Sequence, residues 1–459
     1  MFDQSDFIQR REALIDLMRT RSQSGLILFL GNQDAPANYA DNTYAFRQDS
    51  SFLYFFGIHE PNCAAVIDLE TGDAELFYDR PDEDLRIWIG DSSDMEFSRS
   101  GVTRIFPRKD LASHLCGKPV HFLPPYTCQA TLELSALTDE KPDTIGKRVS
   151  HALIQSVITL REKKSTREIQ EIEVAVNQSI AMHKTAIGLS GAGVSERKVM
   201  SALSGKALES GSLSFQPILT VHGEILHNHA YMETMQNGQL LLVDAGAETA
   251  FGYAGDLTTT IPVSGKFTER QQSIYAIVLD AGRTAASMIK PGISYKSVHI
   301  AAAKTIAKGL KDLGLLAGDT EELVAAGAHA LFFPHGLGHM MGLDVHDMEG
   351  LGEDFVGYNS EKRSSQFGLR SLRLAKKLQS GMVLTVEPGI YFIPMLIERW
   401  KREKKFVNFI NYDVLESWMP FGGIRNEEDW LVTETGGRCL GSPFDKSPSA
   451  IEALYAELH

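Results

Sequence analysis

Four acidic residues stand where strongly apolar, β-prone runs end or break: Asp244 closing LLLVD, Asp256 opening DLTTT, Glu387 inside LTVEPG and Glu427 inside GIRNEED. A buried carboxylate with no partner costs several kcal/mol or takes up a proton, so acids in such surroundings constrain what the chain can fold into. Taken singly, each reads as a turn acid or a local hydrogen-bond acceptor. Asp244 and Asp256 bracket AGAETAFGYAG, a small-residue segment able to fold back as a hairpin and set the two carboxylates on neighbouring strands. Adding Glu387, Glu427 and one neutral histidine collects four carboxylates and one imidazole. Four negative charges balance two divalent cations, and hard oxygen ligands with a single nitrogen favour Mn(II), with Co(II) or Zn(II) as alternatives.

The 459 residues exceed what one hydrophobic core ordinarily holds, so two domains are expected. From residue 26 to about 155, short β-rich runs (LILFL, CAAVIDL, AELFY, VHFL) alternate with loops and helical stretches, as in an α/β domain. The expected organisation is an N-terminal domain over 1–155, a linker and helix start over 156–172, and a second domain over 173–459. In the latter, a helical pair followed by strands occurs twice, which predicts an internal duplication. Thr268 with Gln271 resembles a capping box opening the second helical pair. Gly188 to Gly193 follows a helix rather than a strand, which fits a helix C-cap and turn better than a phosphate loop. The opening residues read as an amphipathic helix, and the cluster from Trp400 to Lys405 as a solvated surface helix.

No apolar run approaches the roughly 18 to 20 residues that span a bilayer. The net charge of -14 disfavours nucleic-acid binding, which needs clustered Lys and Arg. Four scattered cysteines without a C-x-x-C pair suit free thiols in a reducing compartment, so a cytoplasmic location is expected.

The segment HGLGHMMGLDVHD, residues 335–347, crowds three histidines among glycines. His335 and His339 have H-x-x-x-H spacing, but Gly336 stands where a helical zinc protease has Glu, and Gly336 and Gly338 disfavour the helix that motif needs. His227-Asn228-His229 superficially matches an HNH nuclease without the basic groove such an enzyme requires. No serine sits in a G-x-S-x-G elbow.

In this order along the chain, VDAGAE...GDLT, PHGLGHMMGLDVHD, TVEPGIY and GIRNEEDWLVTE resemble the catalytic domain of the pita-bread metallopeptidases. NYADNTYAFRQDSSFLYFFGIHE is similar to the N-terminal domain of the Xaa-Pro aminopeptidases, the aminopeptidase P family. The resemblance implies an α/β N-terminal domain ahead of an α+β pita-bread catalytic domain with a pseudo-two-fold duplication. It implies that Asp244, Asp256, His339, Glu387 and Glu427 ligate two metals, that His227, His335 and His346 hold substrate or move protons, and that Tyr391 and Arg425 line a proline pocket. His229 is expected to be structural or at the surface. Two departures stand out: the stretch from Asp244 to Asp256 is one residue longer than the family pattern, and Thr259 replaces a common arginine.

The activity so implied is removal of the residue ahead of proline from peptides, by a hydroxide held between two divalent metals. Glu387 is expected to shuttle its proton. His346 and His227 would stabilise the tetrahedral intermediate, while His335, Tyr391 and Arg425 shape the proline site. The resemblance also implies a homodimer or homotetramer. An Xaa-Pro dipeptidase shares the metal site and is the nearest alternative. A noncatalytic pita-bread binding module is the alternative of another class, and a methionine aminopeptidase ranks third.

Overall fold

The computed structural model describes residues 2–90, 94–359 and 361–459 and divides into two compact units. One comprises the chain up to Arg161 with Met348–Phe355; the other comprises Glu162–Asp347 with Val356–His459. No helix among the described residues is long and apolar enough to cross a membrane.

The first unit is built on a five-stranded mixed sheet. Ala64–Asp68 is central; Leu26–Leu30 lies antiparallel to it and parallel to the edge strand Val120–His121, and on the other side the sheet continues through Ala74–Phe77 to Arg104–Phe106. Side chains alternate across a strand, so LILFL feeds two cores. Leu26 and Leu28 pack with Val66, Phe77, Leu111 and Phe122 on one face. On the other, Phe29 meets Phe55 and Phe56, with ring centroids 5.1 and 5.8 Å away. Those rings belong to the helix Ser50–Phe56, capped by Asp49, which accepts from Phe52 N at 2.8 Å, and closed by Gly57 in the left-handed region. Gln48 is buried and ties Asn32 N to the Glu60 carbonyl through its amide. The FRQDSSF stretch thus has a structural reason for its residue types. The opening helix, Gln4–Thr20, carries a capping box at Asp3.

In the second unit, helices Thr166–Leu189 and Glu196–Ala207 precede a sheet in which Leu240–Ala245 lies between Leu257–Pro262 and Ile218–Thr220. Helices Glu269–Met288, opened by the Thr268 capping box, and Tyr295–Asp312 then precede the pairs Val383–Val386 with Glu428–Val432 and Gly389–Tyr391 with Gly423–Arg425. Two helices and then antiparallel strands, twice, is the order expected from the sequence. The halves meet at a bridge between Thr258 and Glu427. Gly193 has φ +86 just beyond Leu189, completing the turn read there.

MVLTVEPGIY does not run as one strand: Pro388 has no N–H to continue a ladder, so the run splits at Glu387-Pro388, and GIRNEEDWLV also splits, at Asn426-Glu427. One expectation needs correction. The basic cluster is not wholly solvated. Its helix, Pro394–Arg402, buries Trp400 to 1 % exposure against Phe367 and Phe406, while Lys401 and Arg402 stay outside.

Three imidazoles of this unit, His183, His299 and His329, are fully buried. Burial, aided by Lys446 for His183 and by His329 for His299, pushes their pKa values down to about 3, about 3 and about 4. The unfolded chain takes these protons near pH 6.5, whereas the folded protein refuses them until pH 3 to 4. The unfolded state therefore holds more protons between those limits, and stability present above about pH 6.5 is lost as pH falls, by up to ~1.4 kcal/mol per pH unit for each histidine. Denaturant unfolding between pH 7.5 and 5 checks this. His329→Leu should flatten the slope by about one proton; an unchanged slope would show that His329 is already charged in the fold.

Candidate metal centre

The antiparallel register of Leu240–Ala245 against Leu257–Pro262 sets Asp244 opposite Thr258, and the Thr258 bridge brings Glu427 alongside. The segment between the aspartates forms a short strand, Ala247–Thr249, paired with Gly211–Leu213. Both aspartates line one cavity of about 590 Å3 together with His339, Glu387 and Glu427. His227, His335, His346 and Arg425 line it as well. Tyr391 does not; it is fully buried behind them, and its hydroxyl meets His335 and Arg425.

The glycines of HGLGHMMGLDVHD keep it out of a helix and let it press on the sheet. A Cβ on Gly338 would lie 2.1 Å from the Thr385 carbonyl oxygen, so only glycine permits this approach. His339 N, one residue on, donates to Thr385 Oγ1 at 3.2 Å. The ring is oriented by a second contact, Nδ1 to the Met340 carbonyl at 3.1 Å. A carbonyl only accepts, so the proton sits on Nδ1 and the bare Nε2 faces Asp256 Oδ2 at 3.4 Å. The imidazole is kept neutral, its pKa well below the usual value through burial and the neighbouring His346, whose ring centroid is 4.1 Å away.

Ligand atoms of Asp256, His339 and Glu427 all lie within 4.8 Å of one another. Burial and then the surrounding acids, Glu427 and Asp244 foremost, hold the Asp256 carboxyl well above the ordinary range; burial, Glu387 and Asp244 do the same to Glu427. Asp244 Oδ1 and Asp256 Oδ1 are buried without a hydrogen bond among the described residues. Against the four carboxylates the cavity wall sets the Arg425 guanidinium, 2.5 Å from Asp244 Oδ2. Two acceptors face to face, unpaired carboxylate oxygens and mutual repulsion between acids are what divalent cations would relieve, so these residues fit such a group.

The remaining contacts hold these side chains in place. Thr258 Oγ1 donates to Glu427 Oε2 at 2.7 Å, Asp429 Oδ2 accepts from Asp256 N at 2.9 Å, and Lys446 Nζ reaches the carbonyls of Thr258 and Glu427. Arg425 Nη1 donates to the Tyr391 hydroxyl at 2.8 Å, which donates in turn to His335 Nε2 at 2.9 Å, since His335 Nδ1 is committed to the Gly336 carbonyl at 2.7 Å. Burial and Arg425 lower the His335 pKa to about 3 and also lower that of His227, leaving both rings neutral near pH 7.

Sequence reasoning passed over several residues here. His229, expected to be structural or at the surface, lines the cavity with its Nδ1 3.0 Å from the Pro217 carbonyl. Arg373, Phe215 and Phe367 line it too, and no motif marked them. Asp429 and Lys446 brace the backbones of Asp256 and Glu427 from behind, and the run of three acids Glu427-Glu428-Asp429 was the available signal for Asp429. Thr259 faces away from the centre and is fully buried.

The pattern of metallopeptidase family M24 matches residues 164–434, and that of the aminopeptidase P N-terminal domain matches residues 7–118. The human Xaa-Pro dipeptidase is 32% identical over 466 residues, covering 98% of this chain and 93% of its own. The Xaa-Pro aminopeptidase of Escherichia coli K12 is 32% identical over 469 residues, covering 98% of this chain and 97% of its own. The zinc-substituted E. coli aminopeptidase P in complex with product superposes with a TM-score of 0.81 at 29% identity, over 100% of this chain and 99% of that one. With its four acids and one imidazole gathered in the pita-bread half, the chain belongs to metallopeptidase family M24 and follows the aminopeptidase P plan of an α/β N-terminal domain ahead of a metal-dependent peptidase domain.

Proposed function

We propose that the protein is an aminopeptidase that removes the first residue of peptides carrying proline at position two. The observation that carries this reading is the convergence of Asp244, Asp256, His339, Glu387 and Glu427 on one cavity flanked by neutral histidines. These five would hold two divalent ions, with Mn(II) favoured by the oxygen-rich donor set and Co(II) or Zn(II) as alternatives. When bound, such ions acidify water toward neutrality and polarise the scissile carbonyl.

The chain's own residues do the rest. The Glu387 carboxylate, 3.6 Å from His335 Nδ1, takes the proton of the attacking water and returns it toward the departing nitrogen. His227 and His346 present N–H groups to the oxygen that gains charge. An Xaa-Pro bond is a tertiary amide without an N–H, so a site for it must recognise shape rather than that donor. The relay from Arg425 through Tyr391 to His335 holds the His335 ring in one orientation as a wall for the pyrrolidine. The protein is further proposed to act in the cytoplasm as a homodimer or homotetramer.

One observation favours a second reading, an Xaa-Pro dipeptidase. Arg373 lines the cavity, and a cation there suits the carboxylate that a dipeptide carries on its proline. Mass spectrometry of Gly-Pro and a longer Xaa-Pro peptide, with each metal and with chelator, separates the two readings. The longer peptide should be cleaved, chelation should abolish turnover, and Arg373→Gln should leave the longer peptide's KM within about twofold. Activity confined to Gly-Pro would make the protein a dipeptidase.

His346→Ala should lower kcat by about 100-fold or more while metal content stays at the parent level. An unchanged kcat removes His346 from the mechanism. Asp256→Asn takes one carboxylate out of a crowded buried set, so in chelator it should stabilise the protein by about 1 to 3 kcal/mol while abolishing activation by Mn(II). Thermal melting with and without metal reads both effects; a less stable metal-free variant would contradict the repulsion argued here.

A further inference from the structure

The wall that carries Glu387 and Glu427 has a second face. Glu387, Arg425 and Glu427 line the metal cavity, whereas their chain neighbours Val386, Pro388, Asn426, Glu428 and Trp430 line a separate cavity of about 340 Å3. Side chains of an extended chain alternate between faces, and no described residue lines both spaces. The helix Glu269–Met288 covers the rear cavity with Val278, Leu279, Gly282 and Ala286, and Phe444 adds an aromatic wall.

Two donors in this wall have no acceptor among the described residues. Asn426 is 6 % exposed; its Oδ1 accepts from the Tyr275 hydroxyl at 3.1 Å, and its Nδ2 makes no hydrogen bond. Trp430 Nε1 is buried in the same condition. A buried N–H left unpaired costs about 1 to 3 kcal/mol, so the pair favours an oxygen acceptor. Water can supply that oxygen but cannot pack against Val278, Leu279 and Phe444. The charges around the space, Arg283 and Lys446 against Glu428 and Asp445, cancel, and Lys446 is engaged by two backbone carbonyls, which favours an uncharged guest.

We infer that the rear cavity is a binding site for a small neutral molecule with an apolar body and a carbonyl or amide oxygen, which accepts hydrogen bonds from Asn426 Nδ2 and Trp430 Nε1. The guest lies one residue along the chain from Glu427, on the opposite side of the strand from the substrate.

The test uses the metal-loaded full chain labelled with 5-fluorotryptophan and titrated with N,N-dimethylbenzamide, an amide that only accepts. The Trp430 resonance, identified by its absence in Trp430→Phe, should shift saturably while those of Trp88, Trp400 and Trp418 stay in place. Gly282→Leu should abolish the shift, because a Cβ there meets Pro388 Cγ at 3.5 Å and the longer side chain fills the space. Its Xaa-Pro cleavage without the amide should stay within about twofold of the parent. Asn426→Leu should weaken binding by about tenfold, the loss of one hydrogen bond. A shift that does not saturate, four resonances moving alike, or unchanged affinity in both variants overturns the assignment. Ala286→Phe replaces Gly282→Leu as the blocking variant if the latter fails to fold.

Discussion

Repulsion among four carboxylates in one cavity governs the second unit. Asp244, Asp256, Glu387 and Glu427 come from four places in the chain, and nothing in their own chemistry draws them together. The surrounding fold supplies the constraint. Arg425 grips Asp244, Thr258 grips Glu427, the Asp256 backbone is held by Asp429, and Lys446 ties the carbonyls on either side of the bridge. Each of these partners is buried, so the acids are held by contacts that water does not screen. A scaffold of this kind trades stability for a site poised for cations, as functional centres commonly do.

The histidines divide by what their second nitrogen does. At His339 and His335 a backbone carbonyl takes the Nδ1 proton, which fixes the tautomer and leaves Nε2 as an acceptor. At His339 that acceptor faces a carboxylate; at His335 it receives the Tyr391 hydroxyl. Two chemically identical side chains four residues apart are thereby given different duties by their neighbours.

Much of this was legible in the sequence because it rests on local rules. Asp244 and Asp256 bracketing a glycine-bearing segment predicts a hairpin; the register pairs Leu240–Ala245 with Leu257–Pro262, so Asp244 lies on one strand and Asp256 immediately precedes the other. The capping box at Thr268, the turn at Gly193 and the doubled order of helices and strands follow from periodicity and caps. Ligand geometry was not legible, because Arg373, Asp429 and Lys446 reach the centre through tertiary packing that no spacing encodes. The break at Pro388 follows a local rule, because proline has no N–H to continue the ladder beyond Val386. The burial of Trp400 was not legible, since a basic neighbourhood says nothing about which side of a short helix meets the core.

The bridge between Thr258 and Glu427 joins strands belonging to the two repeated halves. Neither half holds a complete set of donors, so a nascent chain cannot capture its ions until the second half has docked on the first. Loading of the centre is then a late event in maturation, and the presence of bound ions certifies that the whole domain has closed.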